Sequence, residues 1–289
     1  GHGHSMMLRP VAGGTAAQAA NISLPGGKGW GDFSYLAGGA RVYARFIDTK
    51  GYVVTGPQAQ WSLKGKTFTP FKGDIAEGTF KYSCVRCHTV GWRESGAYEG
   101  GVENKLEGIP GAWFENGVGC EACHGMGHQH VILKNKAEVK RANGDMKIAR
   151  DGSFEACGTC HKRNPDNTLN LVTKDLVESR QQYTELKLGS KGRTKMTCIS
   201  CHNPHATSSS EDGIVRKCAE CHSRVKITIQ AMAGAGVRCI DCHMPPAARG
   251  AYDEIVQEYR RGDMRSHLFG ISADPAYVLD GGGGKAALN

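Results

Sequence analysis

One five-residue pattern recurs along this chain and limits what it can fold into. Cys-x-x-Cys-His occurs six times. The copies are Cys84-Val-Arg-Cys87-His88, Cys120-Glu-Ala-Cys123-His124, Cys157-Gly-Thr-Cys160-His161, Cys198-Ile-Ser-Cys201-His202, Cys218-Ala-Glu-Cys221-His222 and Cys239-Ile-Asp-Cys242-His243. They use all 12 cysteines of the 289 residues. Two thiols separated by two residues reach the two vinyl groups of one porphyrin, and the histidine that follows is held beneath the iron. This is the attachment pattern of haem c. Zinc sites also use paired C-x-x-C units, but zinc gives no reason for a histidine directly after every second cysteine. Long-range disulfide staples would not come as identical tight pairs. The sequence therefore implies six covalently bound c-type haems, with the six motif histidines as proximal iron ligands.

The histidine count extends this reading. Of 12 histidines, six lie in the motifs and the others are His2, His4, His128, His130, His205 and His267. Six irons with two imidazoles each need as many as the chain has. A bis-histidine iron has no open position for a substrate and suits electron transfer over catalysis. His205 follows a proximal ligand in Cys-His-Asn-Pro-His and is placed to reach a neighbouring haem. His128 and His130 follow the second motif, and His267, in Gly-Asp-Met-Arg-Ser-His-Leu-Phe, can fold back from beyond the last. His2 and His4, in an extended segment, would point to one face about 6.6 Å apart, a spacing suited to two close-packed haems. Met126, Met196, Met244 and Met264 lie near motifs, but the histidines leave no position needing them, and they read as packing residues.

Composition fits a chain built around cofactors. Hydrophobic residues make up 39% and aromatics 7%, while glycine reaches 40 residues; porphyrin must supply much of the buried apolar surface. The formal charge of +8 is offset by haem propionates: at about −1 for each ferric bis-histidine haem, six bring the total to about +2. Lys and Arg are dispersed and form no patch with interleaved aromatics, so nothing points to nucleic acid. No apolar run is long enough to span a bilayer. Haem c is attached outside the cytoplasm, so the sequence is expected to be a mature exported form with its signal already removed.

Taken in order, residues 1–29 read as an extended Gly/Ala-rich arm. Residues 30–80 form a small β-rich unit without cysteine. There Arg41-Val-Tyr-Ala-Arg-Phe-Ile47 turns at Asp48-Thr-Lys-Gly51 and returns at Tyr52-Val-Val-Thr55, and a second hairpin pairs 58–63 with 67–71. Residues 81–270 are the hexahaem region, and 271–289 a flexible tail. Helical spacing is present at 130–142, 174–187, 225–232 and 252–261, and 108–117 reads as a structured loop. The expected fold is mostly coil with short α-helices wrapped around six haems.

The region from about Tyr35 to Phe269 resembles the soluble multihaem cytochromes c related to the haem chains of hydroxylamine oxidoreductase and pentahaem nitrite reductase. The likeness is carried by Tyr82-Ser-Cys-Val-Arg-Cys-His-Thr-Val-Gly91, Gly117-Val-Gly-Cys-Glu-Ala-Cys-His-Gly125, Cys201-His-Asn-Pro-His205, Cys242-His-Met-Pro245 and Gly262-Asp-Met-Arg-Ser-His-Leu-Phe269. It implies haems stacked in near contact and an electron-transfer role. The nitrite reductases carry a Cys-x-x-Cys-Lys motif, which is absent here. Relatives also place a ligand histidine just ahead of the motif matching Cys198, where this chain has Lys191-Gly-Arg-Thr-Lys195; His2 or His4 is the substitute that the resemblance implies. In general design the chain is also similar to extracellular cytochrome filaments, in which a histidine of one subunit completes a haem of the next. The expectation is a homopolymer subunit of an extracellular nanowire, joined through an N-terminal histidine. The alternatives are a periplasmic electron shuttle, or a multihaem reductase if one haem is five-coordinate.

Overall fold

In a computed structural model of the chain, the described residues are 3–11, 22–96, 101, 105–125, 127, 153–173, 176–189, 195–208, 210–226, 238–256, 259–269, 279–280 and 285–286. The chain divides into two compact units, residues 1–151 and 152–289.

The first unit is organised by an antiparallel meander of five strands in chain order: β1 (Leu8–Pro10), β2 (Phe33–Gly38), β3 (Tyr43–Asp48), β4 (Gly56–Ser62) and β5 (Thr67–Phe71). Side-chain alternation along β2 and β3 feeds two cores. Leu36, Ala44 and Phe46 pack with Phe33, Val54 and Trp61 on one side. Tyr35, Ala37 and Ile47 pack with Leu8, Val53, Tyr82, Val85, Ile109 and Trp113 on the other. The second core brings the first C-x-x-C-H motif onto the sheet, because Val85 of the motif and Tyr82 just ahead of it both belong to that core.

Both hairpins read from the sequence are present. Asp48 closes the first through its carboxylate, which accepts from the N–H groups of Lys50 (2.9 Å) and Tyr52 (2.8 Å); Ile47 bridges Val53 across it. The second joins β4 to β5 with Trp61 opposite Phe68. The segment expected to be an arm behaves differently at Leu8–Pro10, which pairs with Ala37, Leu36 and Tyr35 as the first strand. Leu8 is fully buried there, and that burial holds the strand in place.

The second unit contains more strand than expected. A four-stranded sheet runs in the order β9-β8-β7-β6, where β6 is Leu171–Thr173, β7 Leu176–Glu178, β8 Ala248–Val256 and β9 Tyr259–Met264. Of residues 252–261, expected to be helical, 252–256 and 259–261 lie in the β8–β9 pair instead. Their Tyr, Ile and Val residues are good strand formers, and pairing across a tight hairpin, with Asp253 opposite Gly262 and Val256 opposite Tyr259, overrides the helical period. Among the described residues of the stretch 174–187, Leu176–Glu178 is strand and helix begins at its end, in Gln182–Leu188. The helices expected at 130–142 and, beyond residue 226, at 225–232 lie outside the described residues, as do most of the tail's residues.

Candidate haem centres

Each motif is a single turn of helix. The turns are α1 (Val85–His88), α2 (Glu121–His124), the end of α3 (Phe154–His161), a 3₁₀ turn at Cys198–Ser200, then, after α4 (Gln182–Leu188) in chain order, α5 (Cys218–Cys221) and α6 (Cys239–His243). Positions i, i+3 and i+4 share one helix face, so a helical C-x-x-C-H sets both thiols and the imidazole toward one side. The backbone shows this directly: the His N–H donates to the carbonyl of the first cysteine at 2.9 Å in the motifs starting at Cys120, Cys198 and Cys218. None of the cysteines is in a disulfide.

The residue before the second cysteine supplies a cap in three motifs. Ser200 Oγ accepts from Thr197 N–H (3.0 Å), Glu220 Oε1 from Lys217 N–H (2.8 Å) and Asp241 Oδ2 from Arg238 N–H (2.9 Å). These are the reach-back bonds of a capping box, which settle an otherwise unpaired donor at the helix start. The sequence carried this signal in Ser, Glu and Asp at one motif position, and motif reading alone passes over it.

Second partners orient the imidazoles. His88 Nδ1 lies 2.5 Å from the Tyr82 hydroxyl, His161 Nδ1 3.0 Å from Gln182 Oε1, and His267 Nδ1 3.2 Å from the Arg265 carbonyl. A histidine bonded at Nδ1 presents Nε2 as its ligating nitrogen, which is how protein metal sites fix the tautomer and ring direction. Tyr82 and Gln182 had no motif to announce them.

The densest assembly lies in the second unit. The rings of His202 and His267 have centroids 6.0 Å apart and planes tilted by 31°. An imidazole nitrogen binds a transition metal at about 2 Å and its ring centre lies about 1.1 Å further on, so trans imidazoles on one iron stand about 6.2 Å apart. The centroid separation is thus wide enough for one iron to be held by both imidazoles. Burial, followed by the nearby His202, pushes His267 down to about 4 despite its bond to the Arg265 carbonyl; burial and His161 lower His202. In both rings burial thus disfavours the charged form, and an imidazole must be neutral to act as a ligand. The neighbouring Cys157 thiol and burial raise Cys198.

Glu185 holds the His267 segment. Its Oε2 accepts from the Ser266 hydroxyl (2.8 Å) and the His267 N–H (2.6 Å); burial pushes its carboxyl up to about 6 against those two bonds. Arg265 ties the same segment to α6, donating to the carbonyls of Ile240 and Met244 and to Asp241 Oδ1, each at 2.8 Å. Bonds from Arg238, aided by Arg265, hold Asp241 at about 2.

Of the residues read as ligands from the sequence, the structure brings together His161, His202 and His267. His88 and His124 are partly buried on their own turns, and His4, His205, His222 and His243 are exposed. The backbone carbonyl of His4 accepts from Val118 N–H (3.2 Å), beside the motif at Cys120. His2, His128 and His130 lie outside the described residues.

The family model for cytochrome c554 and c-prime matches residues 59–125, which include the first two motifs. The chain is a multihaem c-type cytochrome. Within that class it is similar to the multiheme cytochrome MtrA of Shewanella baltica (strain OS185), with 26% identity over 202 residues, 52% of this chain and 56% of the relative. The match thus spans little more than half of that relative's length. Among solved structures, the outer cell wall cytochrome OcwA shares the fold at a TM-score of 0.55 and 18% identity, covering 93% of this chain and 75% of that one. The undecaheme cytochrome from the S-layer of Carboxydothermus ferrireducens gives 0.52 at 14% identity, covering 93% and 49%.

Proposed function

We propose that this chain transfers electrons along six bis-histidine c-type haems. The observation that carries the proposal is the His202–His267 pair, whose ring separation would admit one iron. When bound, each haem supplies an iron that cycles between ferric and ferrous states. The chain's own part is positional. The twelve motif cysteines hold the porphyrins, and His88, His124, His161, His202, His222 and His243 bind on one side. His2, His4, His128, His130, His205 and His267 bind on the other. Tyr82, Gln182 and the Arg265 carbonyl direct three of these imidazoles. With protein imidazoles on both sides of each iron, none would be open to a substrate, which favours an electron carrier over an enzyme.

The mass and electron paramagnetic resonance spectrum of the full-length protein test this reading. Six thioether-bound haems, all low-spin, are expected. A high-spin ferric signal would mean an open iron and return a multihaem reductase to the front.

We further propose an extracellular setting, which the cell-wall and S-layer descriptions of the two similar structures support. No helix among the described residues is long and apolar enough to cross a membrane. Within that setting the favoured form is a filament in which an N-terminal histidine completes a haem of the next subunit. The exposure of His4 supports this, while β1 keeps residues 8–10 on their own chain, so the handover is confined to the residues before it. Electron microscopy of the untagged secreted protein decides between a filament and a discrete shuttle, and His2→Ala with His4→Ala should abolish filaments.

A further inference from the structure

Tyr82 sits two residues ahead of the first motif and turns back onto its histidine. Its side chain is buried, packed with Tyr35, Ile47, Val85 and Trp113. Its backbone N–H donates to the Gly108 carbonyl at 2.8 Å, and Lys81 beside it bridges Tyr52 at the hairpin turn. The phenol oxygen lies 2.5 Å from His88 Nδ1, with ring centroids 5.9 Å apart and planes at 58°. The corresponding partners of His161 and His267 are an amide oxygen at 3.0 Å and a backbone carbonyl at 3.2 Å. The first centre thus has the shortest of these contacts, and its acceptor comes from the sheet-backed core.

We infer that Tyr82 is a positioning residue that lowers the reduction potential of the haem attached at Cys84 and Cys87, by accepting a hydrogen bond from His88. The inference rests on the reading above, in which His88 binds iron. With Nε2 on the iron, Nδ1 carries the proton, and the phenol oxygen accepts it. Accepting that bond moves electron density toward Nε2 and makes the imidazole a stronger donor. A stronger donor favours the ferric state, the direction in which hydrogen bonding to an axial ligand acts. The low-dielectric core strengthens the effect. The same bond fixes the plane of the imidazole about the iron.

The test is Tyr82→Phe in the full-length, haem-loaded protein, with the haem load read from the mass and the potentials from a redox titration followed by electron paramagnetic resonance. One potential should rise, and the g values of one low-spin signal should change, while the other five haems stay as they were. Thr89→Val is the control: it removes the 2.8 Å bond from Thr89 Oγ1 to the Val85 carbonyl, loosening the same turn without touching the imidazole. It should leave the potentials unchanged. Unchanged potentials in Tyr82→Phe, an equal shift in Thr89→Val, or loss of the haem from Tyr82→Phe alone would each overturn the inference. A wild-type protein lacking the haem at Cys84 and Cys87 would defeat the haem reading itself, and this inference with it.

Discussion

The imidazoles of His202 and His267 lie with ring centroids 6.0 Å apart although one belongs to a motif and the other follows a strand. If one iron joins them, His267→Ala leaves the haem at Cys198 and Cys201 with a single protein ligand. The expected result is one high-spin ferric signal in place of one low-spin signal, with the remaining haems unchanged. His267→Met should keep the low-spin state and raise that haem's potential, since a thioether sulfur is the weaker donor to ferric iron. A spectrum unchanged in His267→Ala would show that another residue completes this haem.

Glu185 is 1% exposed, and its one carboxylate oxygen serves two donors of the His267 segment. Removing it strands a buried hydroxyl and a backbone N–H, a loss of about 1–3 kcal/mol. Glu185→Ala should lower the denaturation midpoint accordingly and broaden the low-spin signal of the His202–His267 haem. Glu185→Gln keeps an acceptor oxygen in the same place and should lose much less. The comparison separates the hydrogen bond from the negative charge.

The capping side chains of the later motifs act before haem is in place. Glu220 accepts from the Lys217 N–H and so favours the helical turn in which Cys218, Cys221 and His222 share a face. Glu220→Ala loses that cap, worth roughly 0.5–1 kcal/mol of local helix stability. The expected outcome is a fraction of molecules one haem short, with the deficit located by peptide mapping at Cys218 and Cys221. Glu220→Gln, which keeps an acceptor, should restore full loading.

What could be read from the residues was what nearby residues decide. The Asp48–Gly51 turn and its flanking strands follow from alternation and turn chemistry, and each motif announces its own thiols and imidazole. The partners that orient those imidazoles were hidden because they are distant in sequence: Glu185 meets Ser266 across a separation of 81 residues, and Gln182 meets His161 across 21. Tyr82 is near in sequence, yet no periodicity distinguishes an aromatic that packs from one that also hydrogen-bonds. The strand pairing of Leu8–Pro10 and of residues 248–264 escaped for a related reason. A short segment of mixed propensity takes the conformation of whatever it pairs with.

Gly108 and Trp113 connect the sheet to the first haem centre. Gly108 donates to the Lys50 carbonyl and accepts from Tyr82 N–H, both at 2.8 Å, so it links the β3 turn to the motif. A Cβ at this position would lie 2.2 Å from the Gly51 carbonyl carbon and 2.4 Å from Tyr52 N. Those are backbone atoms that cannot rotate away. Gly108→Ala must therefore part the loop from the turn, at about 1–3 kcal/mol, and pull on Tyr82 as it does so. Trp113, fully buried with its indole N–H on Asn116 Oδ1 at 2.8 Å, should cost about 3–5 kcal/mol on truncation to Ala. Both variants should lower the melting temperature, but they differ at the haem. Gly108→Ala disturbs the backbone that carries Tyr82, so it should shift the potential of the first haem in the direction of Tyr82→Phe. Trp113→Ala opens a cavity in the same core but leaves both hydrogen-bonding groups and their backbone in place, so it should shift the potential less. Equal shifts in the two variants would show that general softening of the core, and not the Tyr82–His88 contact, governs this haem.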